Sequence, residues 1–305
     1  MAAKHKPPHT AGNFLLHLDG SPDVSFVKSV EGGEYKANMT TEETGGSMYV
    51  QKNNTTIEIN PFTVELAMAV SKPVLDWINL SWQRKYARRN GAWHIADQTF
   101  KTQFIREFFE ALVLETTLPA LDAESDNPAY LKLKIQPEYT KDTQKEGKKI
   151  QGVANTEERQ WSPANFRFTL DDNALKGACD HISKVGELKI EQVVKSFYVG
   201  QERLPQVEPV KMKFPDVNFE LPAAHAKPFI EWHKKMVIDG EPITSGGVNG
   251  TIEYMDHKCE KTLLSVNLYD LGISSAGIDK AEAGTDKMQM CKVALFCHRM
   301  ELEFG

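Results

Sequence analysis

Cysteine is absent from the chain until Cys179. The four that follow, Cys179, Cys259, Cys291 and Cys297, lack the paired short spacings of a disulfide framework or a four-cysteine zinc site. Cys291 and Cys297, followed by His298, lie in strand-like sequence, and buried or edge thiols are expected there rather than a metal site. The nine histidines are scattered, and a convergence of His225, His233 and His257 in space would be no more than chance at this density. No apolar run approaches the roughly 18 residues that span a bilayer. The opening MAAKHKPPHTAGN has no apolar secretion core, so synthesis in a cytoplasm is expected.

Catalytic signatures are missing too: there is no GxSxG, no HExxH and no GxxxxGK[ST]. Ser245-Gly246-Gly247-Val248-Asn249-Gly250 is the nearest approach to a phosphate loop. It lacks the lysine, and a connection between a helix and a strand is expected there. The chain therefore reads as a non-enzyme with no catalytic, cofactor-binding or metal-binding residues. Its net charge of −6 argues against a surface built to grip nucleic acid, without preventing nucleic acid from passing nearby.

What the chain does contain is a repetition. Lys72-Pro73-Val74-Leu75-Asp76-Trp77 returns as Lys227-Pro228-Phe229-Ile230-Glu231-Trp232, and Val64-Glu65-Leu66 upstream faces Phe219-Glu220-Leu221 at the same offset of 155. A second anchor matches Asn13-Phe14-Leu15-Leu16-His17-Leu18-Asp19 with Asn165-Phe166-Arg167-Phe168-Thr169-Leu170-Asp171, at an offset of 152. A third sets Leu121-Asp122 and the strand Leu131 to Ile135 against Ile278-Asp279 and the strand from Met288 to Val293. Three anchors in one order imply two copies of a whole domain, since solenoid units run only to roughly 20–50 residues. The expected division is 1–145, a linker at 146–160, and 161–305, the linker falling in a charged stretch without periodicity.

Most of each half alternates with period two, as in Leu131 to Ile135, Val210 to Phe214 and Met300 to Phe304. That is the habit of antiparallel sheets with one wet face. Pro61 interrupts the run from Thr56 to Leu66 and predicts a break. From Ser71 onward Val74, Trp77, Ile78 and Trp82 recur at helical spacing, with Ser71 placed to cap and Pro73 in the first turn. Phe229, Trp232, Met236 and Val237 make a similar stripe that Gly240 is placed to end. The fold class is thus mainly β with one principal helix per domain, and Phe14, Trp77, Phe166 and Trp232 are read as core positions.

Two further segments attract a functional reading. Met39 to Thr56 is polar and reads as a long loop, with Met39, Thr41, Glu42, Glu43, Gly45 and Gly46 as its candidate contact residues. The run Arg84-Lys85-Tyr86-Ala87-Arg88-Arg89 either complements the end of the first helix or, through Arg84, Lys85, Arg88 and Arg89, meets a partner protein.

Together these segments resemble the tail-tube family of contractile phage tails and phage-like injection systems. The resemblance is carried by Leu75-Asp76-Trp77, Tyr86 to Gly91, Arg106 to Val113, Pro119-Ala120-Leu121-Asp122-Ala123 and Pro128 to Glu138. It covers most of residues 10–140. It is fainter in the second half, where Ala276 to Lys280 replaces the Pro-x-Leu-Asp-Ala turn.

The resemblance implies small β-barrel or sandwich domains that close into rings, stack into a tube and surround a channel. Single-domain members form six-fold rings, so two fused copies imply either three chains per ring or a hexamer with an outer second domain. A sheath protein, baseplate and neck proteins, and DNA passing without specific binding are the implied partners. The implied location is a virion or an injection particle, and the stretch from Met39 is the element expected to stack rings. The alternatives are a tube initiator or terminator at the baseplate or neck, and a soluble two-domain ligand-binding protein or enzyme.

Overall fold

The computed structural model describes residues 12–304 apart from 23–26, 44, 46–47, 69, 86, 126, 144–161, 201–202, 241–246, 257 and 280–287. The expected linker at 146–160 lies outside the described residues, as do Gly46, Ser245, Gly246 and His257.

The first half runs β1 (Asn13–Leu18), β2 (Ser21–Pro22), β3 (Val27–Glu31), β4 (Tyr35–Glu42), β5 (Gln51–Ile59) and β6 (Phe62–Ala67). It continues through α1 (Lys72–Trp82), β7 (Arg89–Ala96), β8 (Thr102–Leu118), β9 (Leu121–Asp122), β10 (Tyr130–Gln136) and β11 (Tyr139–Thr143). The second half runs β12 (Phe166–Leu170), α2 (Asn173–Cys179), β13 (Lys184–Val185), β14 (Leu188–Phe197), β15 (Gln206–Lys213) and β16 (Val217–Pro222). Then come α3 (Lys227–His233), a π-helical turn (Lys234–Ile238), β17 (Val248–Met255), β18 (Thr262–Ile278), β19 (Met290–Phe296) and β20 (Arg299–Phe304). The architecture is mainly β, as the alternation predicts.

Hydrogen-bonded order in the first half is β1-β7-β8-β10-β6-β3, with β11 also on β8. In the second half it is β12-β17-β18-β19-β16-β13, with β20 also on β18. The long strands β8 and β18 have 17 residues each and bend at matching points. Both ladders slip where Arg89/Gly91 and Val248/Gly250 face them, and again on β10 and β19. At the first slip Glu110 (φ 49°) and Asp270 (φ 54°) take left-handed backbone. Each has its N–H held by an asparagine side chain, Asn90 at 2.8 Å and Asn249 at 3.2 Å. Those asparagines in turn donate backbone N–H to Asp19 and Asp171. The side-chain bonds stabilise the bulges, which give each sheet its curl.

Each half keeps its own aromatic centre. Phe62, Trp93 and Phe108 meet in the first, with centroids 5.6–6.0 Å apart. In the second, Phe219 packs 5.2 Å from both Phe168 and Phe229. Only Phe62 and Phe219 stand on matching strands, β6 and β16; Trp93 and Phe108 come from β7 and β8, but Phe168 and Phe229 from β12 and α3.

Several expectations change. Met39 to Thr56 is not loop throughout: Met39 to Glu42 and Gln51 to Thr56 belong to the β4–β5 hairpin, paired from Tyr35↔Ile59 to Glu42↔Gln51. Both faces of the hairpin's outer part are wet, so its strands carry no apolar alternation. The third anchor also moves, because Leu131 faces Leu66 while Cys291 faces Leu221, which makes Leu131 and Cys291 equivalent at an offset of 160. A period-two pattern carries little information about register, and the turns before the strand differ. Ser71 stands at the N-cap of α1, but its side chain makes no capping bond to the helix. α1 ends at Trp82 with no basic residue in its last turn. α2, seven residues capped by the Asp172 carboxylate at 2.7 Å, is too short to announce itself by periodicity.

Candidate assembly interface

The sequence-predicted core positions differ in depth. Trp77 is fully buried and its indole N–H donates to the Ala87 carbonyl at 2.8 Å. Phe14, Phe166 and Trp232 are half-buried and pack against the same core. Val237, read as part of the second helical stripe, is exposed.

The basic run divides. Arg84 and Lys85 face solvent. Arg88 is held inside the chain by Glu138, by the Val207 carbonyl at 2.6 Å and by Glu208 at 3.2 Å. Arg89 pairs with Asp19 at 2.6 Å. Val207 and Glu208 belong to the second half, so Arg88 ties the halves together.

Where the halves meet, backbone edges meet. Leu188↔Leu118, Lys189↔Thr117, Ile190↔Thr116 and Glu191↔Glu115 join β14 to β8. Lys184↔Asp122 and Val185↔Leu121 join β13 to β9 in the same antiparallel register. The first ladder belongs to a ten-stranded sheet that holds β3, β6, β10, β8 and β14, and the second to an eight-stranded sheet that holds β9, β13, β16, β19 and β18. Above it, Trp82 meets Phe214 edge-on at 6.3 Å, and the Ser81 hydroxyl donates to Gln192 Oε1 at 3.1 Å. Asn79 of α1 holds the backbone of β20 at Leu302. The two surfaces in this contact are different, which makes it a heterologous, head-to-tail contact.

One face of these joined strands buries apolar side chains; the other carries alternating charge. In the first half Lys28 pairs with Glu65 at 2.9 Å, and Glu65 with Lys132 at 3.7 Å. At the join Lys189 bridges Glu115 at 3.2 Å and Glu191 at 2.9 Å, while Lys184 meets Asp122 at 2.9 Å. In the second half Lys292 meets Asp279 at 2.9 Å and Glu220 at 3.7 Å. The Lys28 ammonium bonded to Glu65 holds that carboxyl below its usual range, and Lys184 does the same for Asp122. Conversely, Asp122 raises Lys184, Glu191 and Glu115 raise Lys189, and Asp279 raises Lys292. A polar surface with paired charges presents little net field to a passing polyelectrolyte. A shallow groove of about 460 Å³ lies over this face at the join, lined by Leu121, Asp122, Lys184, Phe219 and Lys292.

Among the described residues no group of three or more His, Cys, Asp or Glu could hold a metal ion, and the described cysteines are free thiols. Burial raises the Cys179 thiol to about 11. His225 stacks on His181 with centroids 3.5 Å apart. No helix among the described residues is long and apolar enough to cross a membrane. The sequence did not point to Asn79, Ser81, Gln192 or the β8/β9 edge, because backbone pairing leaves no side-chain signature.

Residues 10–141 match the family model described as T4-like virus tail tube protein gp19. Similar solved structures include one described as the anti-feeding prophage baseplate, 6-fold symmetrised, at 14% identity and a TM-score of 0.35, covering 46% of this chain and 91% of that one. Another is the sheath-tube complex of an extracellular contractile injection system, at 11% identity and a TM-score of 0.35, covering 46% of this chain and 89% of that one. A third is Hcp1 from Flavobacterium johnsoniae, at 16% identity and a TM-score of 0.32, covering 45% of this chain and 98% of that one. No curated protein matches.

Proposed function

From the premise that this chain belongs, through residues 10–141, to the phage-like tail tube family, we propose that it is a subunit of the inner tube of a contractile tail or injection particle. Three chains form a ring of six domain positions around a channel, and rings stack into the tube. The observation that carries this reading is the pair of ladders, β8 with β14 and β9 with β13, which share one antiparallel register and join halves of matching strand order edge to edge.

The reading takes residues 161–305 as a second copy of the domain in 1–145, joined by the segment 146–160. The repeated Asp-Asn-bulge arrangement, Asp19-Asn90-Glu110 and Asp171-Asn249-Asp270, supports it, since a bonding pattern this specific is poorly explained by fold alone. A head-to-tail contact made once inside a chain and again between chains closes a ring when the rotation permits. Closure also removes the exposed sheet edges that otherwise invite aggregation.

The charged face with its lysine–carboxylate pairs suits the channel wall, along which DNA or a protein effector slides without specific binding. The outer part of the β4–β5 hairpin, with Met39, Thr41, Glu42, Glu43 and Gly45, suits the contact between stacked rings. Deleting residues 41–46 is expected to leave rings and abolish tubes. Arg84 and Lys85, free of the contacts that occupy Arg88 and Arg89, suit a sheath contact on the outside.

End-on electron microscopy of the purified chain over a range of concentrations tests the proposal. Six-lobed rings with three-fold modulation and a central hole are expected, with stacks at high concentration. Single rings that never stack would favour a terminator or initiator at the neck or baseplate. Six-fold rings with outer knobs would place the second half outside the ring, and persistent monomers would overturn the proposal.

A further inference from the structure

The join between the halves buries a specific set of positions on the first half, and the second half carries the same set uncovered. Leu118 is 0% exposed beneath β14, whereas Ile278, its equivalent through the shared β-bulge, is 55% exposed. Trp82 is 3% exposed against Phe214, whereas Val237, which lies 155 residues on in the π-helical turn after α3, is 51% exposed. Ile230, which stands where Leu75 is buried, is also exposed. Large aliphatic side chains left in solvent at points that match a covered surface are candidates for an interface.

The backbone repeats the same mismatch. Glu115 to Thr117 of β8 pair with β10 on one side, and Glu115 to Leu118 pair with β14 on the other. Among the described residues Ser275 to Ile278 of β18 pair only with β19, so one edge is open. On the opposite flank, β14 leaves β13 to cover β8, but among the described residues β4, which follows β3 at the equivalent place, pairs only with β5. One chain therefore presents an open edge at its second half and an uncovered strand at its first.

We propose that the Ser275–Ile278 edge of one chain is covered by β4 of a second copy, in the register that β14 uses on β8. Lys36 stands as far beyond Val30 as Glu191 stands beyond Val185, and both valines pair into equivalent strands, β6 and β16. Since Glu191 faces Glu115, the register places Lys36 opposite Ser275 of the neighbouring chain. Ile278 then comes under the backbone near Gly33, and Val237 under the strand-end region around Ile59, as Trp82 lies under Phe214. The contact covers an exposed sheet edge and exposed aliphatic side chains at once.

This inference draws its closed geometry from the ring reading above, and the test separates the two. Lys36→Cys and Ser275→Cys are introduced together in a Cys259→Ser background, because Cys259 is an exposed thiol. Residues directly opposite on neighbouring antiparallel strands have Cα atoms about 4.5–5.5 Å apart, inside the range that a disulfide spans. The control pair, Lys36→Cys with Ala276→Cys, points to opposite faces. Under mild oxidation the first pair is expected to give covalent trimers in at least about tenfold excess over the control, with rings visible in the same sample. Val237→Asp, at an exposed position, is expected to keep the monomer's melting temperature and to lose assembly.

Rings without the Lys36–Ser275 cross-link would overturn this interface and leave the ring reading standing. Cross-linked open chains without rings would support the interface and overturn the ring. Monomers with neither would overturn both.

Discussion

The Asn79 side chain brackets the backbone of Leu302. Its amide donates to the Leu302 carbonyl at 2.8 Å, and its Oδ1 accepts the Leu302 N–H at 3.0 Å. A helix side chain of the first half thus completes a strand of the second, as another strand would.

Replacing Asn79 by Ala removes both bonds and leaves two partly buried backbone groups unpaired. A loss of roughly 1–3 kcal/mol is expected, read as a lower urea midpoint at unchanged slope. An unchanged midpoint would mean that water replaces the side chain without cost.

The two repeated tryptophans are predicted to differ. Trp77 is fully enclosed with its indole bonded to Ala87, so Trp77→Ala should cost about 3–5 kcal/mol. Trp232 is half-buried, and Trp232→Ala should cost roughly half as much or less, in proportion to the smaller area returned to water. Equal losses in thermal unfolding would contradict the difference in packing.

Asp97 organises the turn between β7 and β8. Its carboxylate accepts the Thr99 hydroxyl at 2.7 Å, and the backbone N–H groups of Lys101 and Thr99 at 3.0 and 2.8 Å. These bonds, the Thr99 hydroxyl foremost, lower its pKa to about 2. A depressed carboxyl contributes stability above its unfolded value, about 4, and loses it as pH falls through the folded value. The stability gap between the parent chain and Asp97→Asn should therefore be constant at neutral pH, shrink below about pH 4 and vanish near pH 2. A gap independent of pH from 7 down to about 2 would show that the charge plays no part.

Glycines at two positions are predicted to respond in opposite directions. A Cβ on Gly91 would overlap the Phe108 ring and come within 2.5 Å of the His17 carbonyl oxygen, so Gly91→Ala should destabilise by about 1–3 kcal/mol. Gly177 lies in α2 with nothing within 4 Å of the added atom, so Gly177→Ala should stabilise by about 0.5–1 kcal/mol. Calorimetric melting of the two variants beside the parent measures both signs.

Much of the fold is legible in the chain because it rests on local periodicity. Alternation in Leu131 to Ile135 and helical spacing from Val74 to Trp82 report which face is buried, whatever lies opposite. The break at Pro61 is equally local. The hairpin of β4 and β5 is not legible, because strands wet on both faces, such as Lys52 to Thr55, show no alternation. The third anchor slips by three residues for a related reason, since an alternating strand reads alike in several registers.

The sequence by itself determined the repetition, the β-rich class and the helix that plugs each core, because each follows from side-chain pattern and size within a short window. Only the tertiary structure decided that the halves join through the edges of β8/β9 and β13/β14, that Arg88 and Arg89 turn inward, and that Ile278 and Val237 stand uncovered. Those outcomes depend on backbone hydrogen bonds and on partners more than a hundred residues away for Arg88. An N–H or C=O on a sheet edge is the same in every residue, so the pairing it makes is visible only once the chain has folded.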